Sequence, residues 1–62
     1  MYYEIEYKGI NECSHQQELK ILIVEGYRDT LLATIKDFKN RGIAITEVCR
    51  VNKNGIFTPI KF

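Results

Sequence analysis

Cys13 and His15 stand two positions apart within Asn11–Glu18 (NECSHQQE), with Glu12 and Glu18 close by. Thiolate and imidazole are common zinc ligands, and a thiol deprotonated by a neighbouring imidazole is a nucleophile. Either chemistry needs further parts. A metal would require at least two more ligands, and only Cys49 with Glu12 or Glu18 is available to supply them. The paired C-x-x-C or H-x-x-x-H spacing of zinc sites is missing. A nucleophilic pair would need a third group to orient the histidine, and none is visible. A chain of 62 residues also has little room for a pocket without giving up its core. The stretch is therefore read as a polar connection with His15 exposed. No catalytic residue, metal or cofactor is expected.

Such a chain must instead act through a surface, and the elements decide which surface. Met1, Tyr3, Ile5 and Tyr7 alternate with Tyr2, Glu4, Glu6 and Lys8, the period-2 pattern of a strand with one buried face, ending near Gly9. Leu19–Glu25 (LKILIVE) is rich in β-branched residues and reads as a second strand. In it Leu19, Ile21 and Ile23 share one side, Leu22 and Val24 the other. A helix from Ser14 competes, because Ser14 with Gln17 fits a capping box. The side-chain freedom that Ile21, Ile23 and Val24 would lose in a helix favours the strand.

Asp29–Arg41 predicts a helix capped by Asp29, with Leu31, Leu32, Ile35 and Phe38 as its apolar stripe and Gly42 as a left-handed terminator. Ile43–Val51 predicts a strand in which Val48 breaks the parity of Ile43 and Ile45, so a bulge is expected near Thr46–Glu47. Asn52–Gly55 (NKNG) fits a type I turn whose last residue takes positive φ. Pro59 in the final segment, Ile56–Phe62, marks a sheet edge, since proline cannot donate to a ladder. The fold expected is a single α+β domain over residues 1–62 in ββαββ order. Its mainly antiparallel four-stranded sheet runs 2-1-3-4, with one helix, about 29–41, on one face.

Composition agrees with a folded chain: 45% hydrophobic and 27% charged, with four glycines and one proline. A domain this small buries only about 60% of its unfolded surface and gains from a second subunit. The longest apolar run, Ile21–Val24, is far too short to span a membrane. With no secretory signal visible, the expected compartment is the cytoplasm, where both cysteines stay reduced.

One helix leaves one sheet face open. Leu22 and Val24, with Tyr2, Val48 and Phe57 beside them, are the residues expected there. Of these, Tyr2, Leu22, Val24 and Phe57 are the interface candidates, on the ground that clustered exposed apolar groups mark contact surfaces. The plainer alternative has Ile60 and Phe62 folding over that patch. The function expected is non-enzymatic protein binding, as a homodimer or as an inhibitor or regulator of a larger protein. Small chains without catalytic parts also occur in phages and mobile elements, an origin no residue here argues for. The second reading is nucleic-acid contact. Residues 1–27 balance to −3 and residues 28–62 to +4. Lys36, Lys39, Arg41, Arg50 and Lys53 would then gather at the helix C-terminus and the hairpin tip, with tyrosines for stacking. Glu4 and Glu6 oppose that reading by repelling phosphates.

Overall fold

The structure, a computed structural model, describes residues 2–61; Met1 and Phe62, each assigned a side above, lie outside that range. The elements are β1 (Tyr2–Ile10), β2 (Gln17–Glu25), α1 (Arg28–Asn40), β3 (Ile45–Val51) and β4 (Phe57–Pro59). They form one antiparallel sheet in the order β2-β1-β3-β4. This is the expected α+β topology, with β1 central because its alternation lets one face enter the core. Tyr3 and Ile5 are buried there together with Val24, Leu31, Ile35, Phe38 and Val48. Tyr7 meets Phe38 edge-on, with ring centroids 5.1 Å apart.

The helix begins one residue earlier than expected. Tyr27 occupies the cap position with no side-chain cap bond, and Asp29 lies inside the first turn, where its charge faces the positive end of the helix dipole. Leu31, Ile35 and Phe38 are buried, whereas Leu32 is half exposed because it lies one step around the helix from Leu31. At the other end Ile43 N–H donates to Phe38 O and Gly42 N–H to Lys39 O, the paired bonds of a Schellman stop, with Gly42 at φ +75°.

The bulge falls at Thr46. Glu47 pairs with Glu6 and Ile45 with Tyr7, so Thr46 is left over, and its hydroxyl donates toward Glu6 O and Glu6 Oε1. That extra residue lets Ile45 and Val48 both reach the core despite their opposite parity. Strand β3 starts at Ile45 rather than Ile43, because Gly42 and Ile43 complete the helix stop. Strand β4 is only three residues long, against the seven expected. Beyond Pro59 the chain stays beside β3: Ile60 donates its N–H to Val48 O and packs its side chain against the core.

The connection between β1 and β2 has one further consequence. The loop spans residues 11–16 and sets Ile10 opposite Gln17, and the register runs without interruption to Tyr2 opposite Glu25. Directly opposed residues of an antiparallel pair lie on one face. Val24 opposite Tyr3 and Leu22 opposite Ile5 therefore face the helix, and Leu19, Ile21 and Ile23 face away. The grouping read from the sequence holds, but the sides are exchanged.

Candidate protein-binding surface

Three groups of residues make up the open face. Cross-strand pairing aligns Glu25, Tyr2, Val51 and Phe57 in one row and Ile23, Glu4, Cys49 and Pro59 in the next. The third row holds Ile21, Glu6 and Glu47, and Leu19 lies opposite Lys8 beyond it. Read along the strands, β2 carries an aliphatic stripe, the middle of the sheet an acidic column, and the end near the 52–55 turn an apolar row.

The stripe is the most exposed part. Leu19 and Ile21 are each 60% exposed and Ile23 is 62% exposed, although all three belong to a regular strand. Helix α1 starts just after β2 ends, so it covers only that end, and Val24 is the one buried residue of β2. Of the four interface candidates, Tyr2 and Phe57 lie exposed on the open face. Leu22 lies on the helix side at the sheet margin, still partly accessible. Val24 is a core residue at 7% exposure, and Val48, also expected on the open face, is buried at 1%. The cause is the register of the β1–β2 hairpin for Leu22 and Val24, and the Thr46 bulge for Val48. Ile60 does not cover the open face.

The acidic column consists of Glu4, Glu6 and Glu47, which with Ile21 and Cys49 line a shallow depression. Glu6 and Glu47 stand directly opposite each other, an unfavourable like-charge pair. Each has one polar neighbour: the Thr46 hydroxyl lies 2.8 Å from Glu6 Oε1, and the Cys49 thiol donates to Glu47 Oε1 at 3.4 Å. Cys49 is held above the ordinary thiol range, first by desolvation, then by that hydrogen bond and by the charges of Glu47, Glu4 and Glu6. Its neutral form is favoured, the opposite of what a nucleophile needs.

The polar stretch that holds Cys13 and His15 is organised by Asn11. Its Oδ1 accepts from Cys13 N–H at 2.9 Å and from Ser14 N–H at 3.3 Å, its carbonyl accepts from His15 N–H, and its N–H donates to Gln16 O. His15 sits at φ 59°, a left-handed conformation that shapes the loop. Glu12 through Glu18 are exposed, and Ser14 caps no helix. Cys13 lies beyond the far end of β1 from Cys49, on the order of 20 Å away at strand rise. That separation excludes a bridge between the two thiols, which are both free. Among the described residues no three His, Cys, Asp or Glu side chains gather as metal ligands.

The five cations of the nucleic-acid reading are not brought together. Lys36, Lys39 and Arg41 belong to the C-terminal half of α1 and its end, and Arg41 pairs with Asp37 at 3.1 Å. Lys53 sits in the 52–55 turn at the opposite end of β3, about 20 Å along the strand. Arg50 points to the helix side, opposite Tyr3 and Thr58. Tyr3, one of the stacking candidates, is buried. Chain order already implies the separation: β3 follows the helix C-terminus directly and carries the chain away from it to the hairpin tip.

The exposed open-face residues that sequence reasoning missed are Leu19, Ile21 and Ile23. Their shared side was legible, but the hairpin register that turns them outward was not. Among the described residues no helix is long and apolar enough to cross a membrane. Comparison with protein-family models, curated proteins and solved structures gave no match.

Proposed function

We propose that this chain is a non-catalytic protein-binding module that works through β2 and the open sheet face, as a homodimer, as an inhibitor or regulator of a larger protein, or as both. One observation carries the reading: Leu19, Ile21 and Ile23 form a continuous exposed aliphatic stripe on a strand whose outer backbone edge is unpaired among the described residues. Single exposed aliphatic residues are ordinary, but three in a row beside free N–H and C=O groups offer both modes of strand recognition at once. The acidic column beside the stripe repels phosphate backbones, which argues for protein over nucleic acid. We place the chain in the cytoplasm, a reading supported by two free thiols held far apart.

A photoreactive residue at position 23, introduced in the native cell, tests the reading. It should give a discrete, saturable protein adduct that disappears when Leu19→Glu is added. A chain that yields only uncrosslinked monomer would overturn it.

A further inference from the structure

We infer that the partner of β2 is the β2 of a second copy, paired antiparallel about a two-fold axis at Ile21. This deepens the protein-binding reading and rests on it. Four observations favour this occupant.

First, β2 lacks the usual protection of an edge strand. It pairs with β1 over nine residues with no bulge, and it contains no proline. Its one lysine does not guard the margin. Lys20 lies inward across Gly9, so close that a Cβ at residue 9 would meet Lys20 Cδ at 2.7 Å.

Second, the strand is complementary to itself. With Ile21 opposite Ile21 of the partner copy, Leu19 faces Ile23 and Ile23 faces Leu19, so all six aliphatic groups meet aliphatic groups. On the same face Gln17 meets Glu25, an amide against a carboxylate. On the helix side Lys20 meets Leu22 and Glu18 meets Val24, so no like charges stand directly opposed. Neighbouring registers fail. Centring on Lys20 sets two ammonium groups face to face, and centring on Leu22 sets Leu19 against Glu25. Cross-strand pairs of like charge are unfavourable, and those of aliphatic groups favourable.

Third, the symmetry is consistent with the fold. A two-fold axis normal to the sheet joins residues of equal parity, so both helices stay on one side and the open faces merge into an eight-stranded sheet. Fourth, the alternative of stacking open face on open face would bury Glu4, Glu6 and Glu47 against their copies. Edge pairing leaves them in water. The strand edge and stripe offer on the order of 1,000 Å² in total, the lower bound for a specific interface, so a dimer of micromolar affinity is expected.

The test combines sedimentation with cysteine crosslinking. Wild-type chain should pass from monomer to dimer between low micromolar and submillimolar concentration. Ile21→Lys should weaken the dimer at least about tenfold while leaving the fold intact by circular dichroism, because a lysine there faces Glu6 on β1. In a background of Cys13→Ser and Cys49→Ser, Ile21→Cys should oxidise to a covalent dimer faster than Leu22→Cys. Cross-strand spacings of about 4.5–5.5 Å suit a disulfide at the two-fold. A monomer at submillimolar concentration overturns the second-copy proposal. Covalent dimer forming faster through Leu22→Cys overturns it too. A monomeric chain that still gives a single foreign adduct at position 23 keeps the binding module and removes the self-pairing; a chain with neither loses both.

Discussion

The two edges of this sheet are built to opposite rules. Strand β4 is three residues long and contains Pro59, which has no N–H to donate. Strand β2 is nine residues long, unbroken, and carries its most exposed aliphatic side chains on the open face. Both edges belong to the same small domain and meet the same solvent. The length and composition of β2 leave it open to a neighbouring strand where β4 is not.

Substitutions on adjacent residues of β2 should separate packing from contact most sharply. Val24→Asp places an unpaired carboxylate in the core and should cost about 3 kcal/mol or more, enough to unfold much of a domain this small. Ile23→Lys, one residue away on the outer side and facing Glu4 on β1, should change the stability of the monomer by under about 1 kcal/mol while impairing association. Urea denaturation at concentrations below dimerisation would read both. Equal costs would mean that the two sides of β2 are not distinct.

The edge strands are tethered by loops that use the same device. Asn52 Oδ1 accepts from Asn54 N–H at 2.9 Å and Ile56 N–H at 3.0 Å, much as Asn11 Oδ1 serves Cys13 and Ser14. Asn52→Ala should cost about 1–2 kcal/mol, with accelerated amide exchange concentrated in β4. Uniform acceleration across the sheet would show that β4 is not a separately anchored edge. In the loop before β2, His15→Gly should add about 0.5–1 kcal/mol by relieving the left-handed backbone, seen as a higher melting temperature. A lower melting temperature would show that the imidazole itself contributes to that loop.

Cysteine chemistry gives a weaker contrast. Cys49, raised by its surroundings, should alkylate more slowly than exposed Cys13 at mildly alkaline pH. In the unfolded chain Cys49 ionises at a lower pH than in the folded one, so folding stability should fall as pH rises above the ordinary thiol range. Below that range the contribution is fully present. Cys49→Ser should flatten the alkaline fall, as pH-dependent denaturation would show. The smallest effect is expected from Pro59→Val. Association should stay unchanged within about twofold, because β4 remains too short to template a neighbour. Growth beyond a dimer in sedimentation would show that proline, rather than length, guards that edge.

Much of this architecture was legible because local signals agreed. The alternation of Tyr3, Ile5 and Tyr7, the Gly42 stop, the Asn52–Gly55 turn and the parity break at Val48 each have a short-range cause, and each appears in the fold. The outward side of β2 was not legible. Both of its sides are aliphatic, so period alone cannot choose between Leu22 with Val24 and Leu19 with Ile21 and Ile23. The choice is made by the residues of the connecting loop, where one residue more or fewer would reverse every side chain of the strand. Interest in Cys13 and His15 drew attention to reactive groups, whereas Asn11, the residue that shapes the loop, carries no chemistry of its own. The scatter of the cations was legible: one strand, β3, lies between the helix C-terminus and the hairpin tip, so Lys39 and Lys53 had to sit a strand length apart.

Gly9 gives the sheet a remote control over its own margin. Because residue 9 has no side chain, the stem of Lys20 rests in the space above it. Gly9→Ala would displace that stem toward the margin, where its ammonium would crowd the Leu22 that a second copy sets opposite it. A single methyl on the central strand would thus act as a repellent at a distance, without touching the surface whose stickiness it governs.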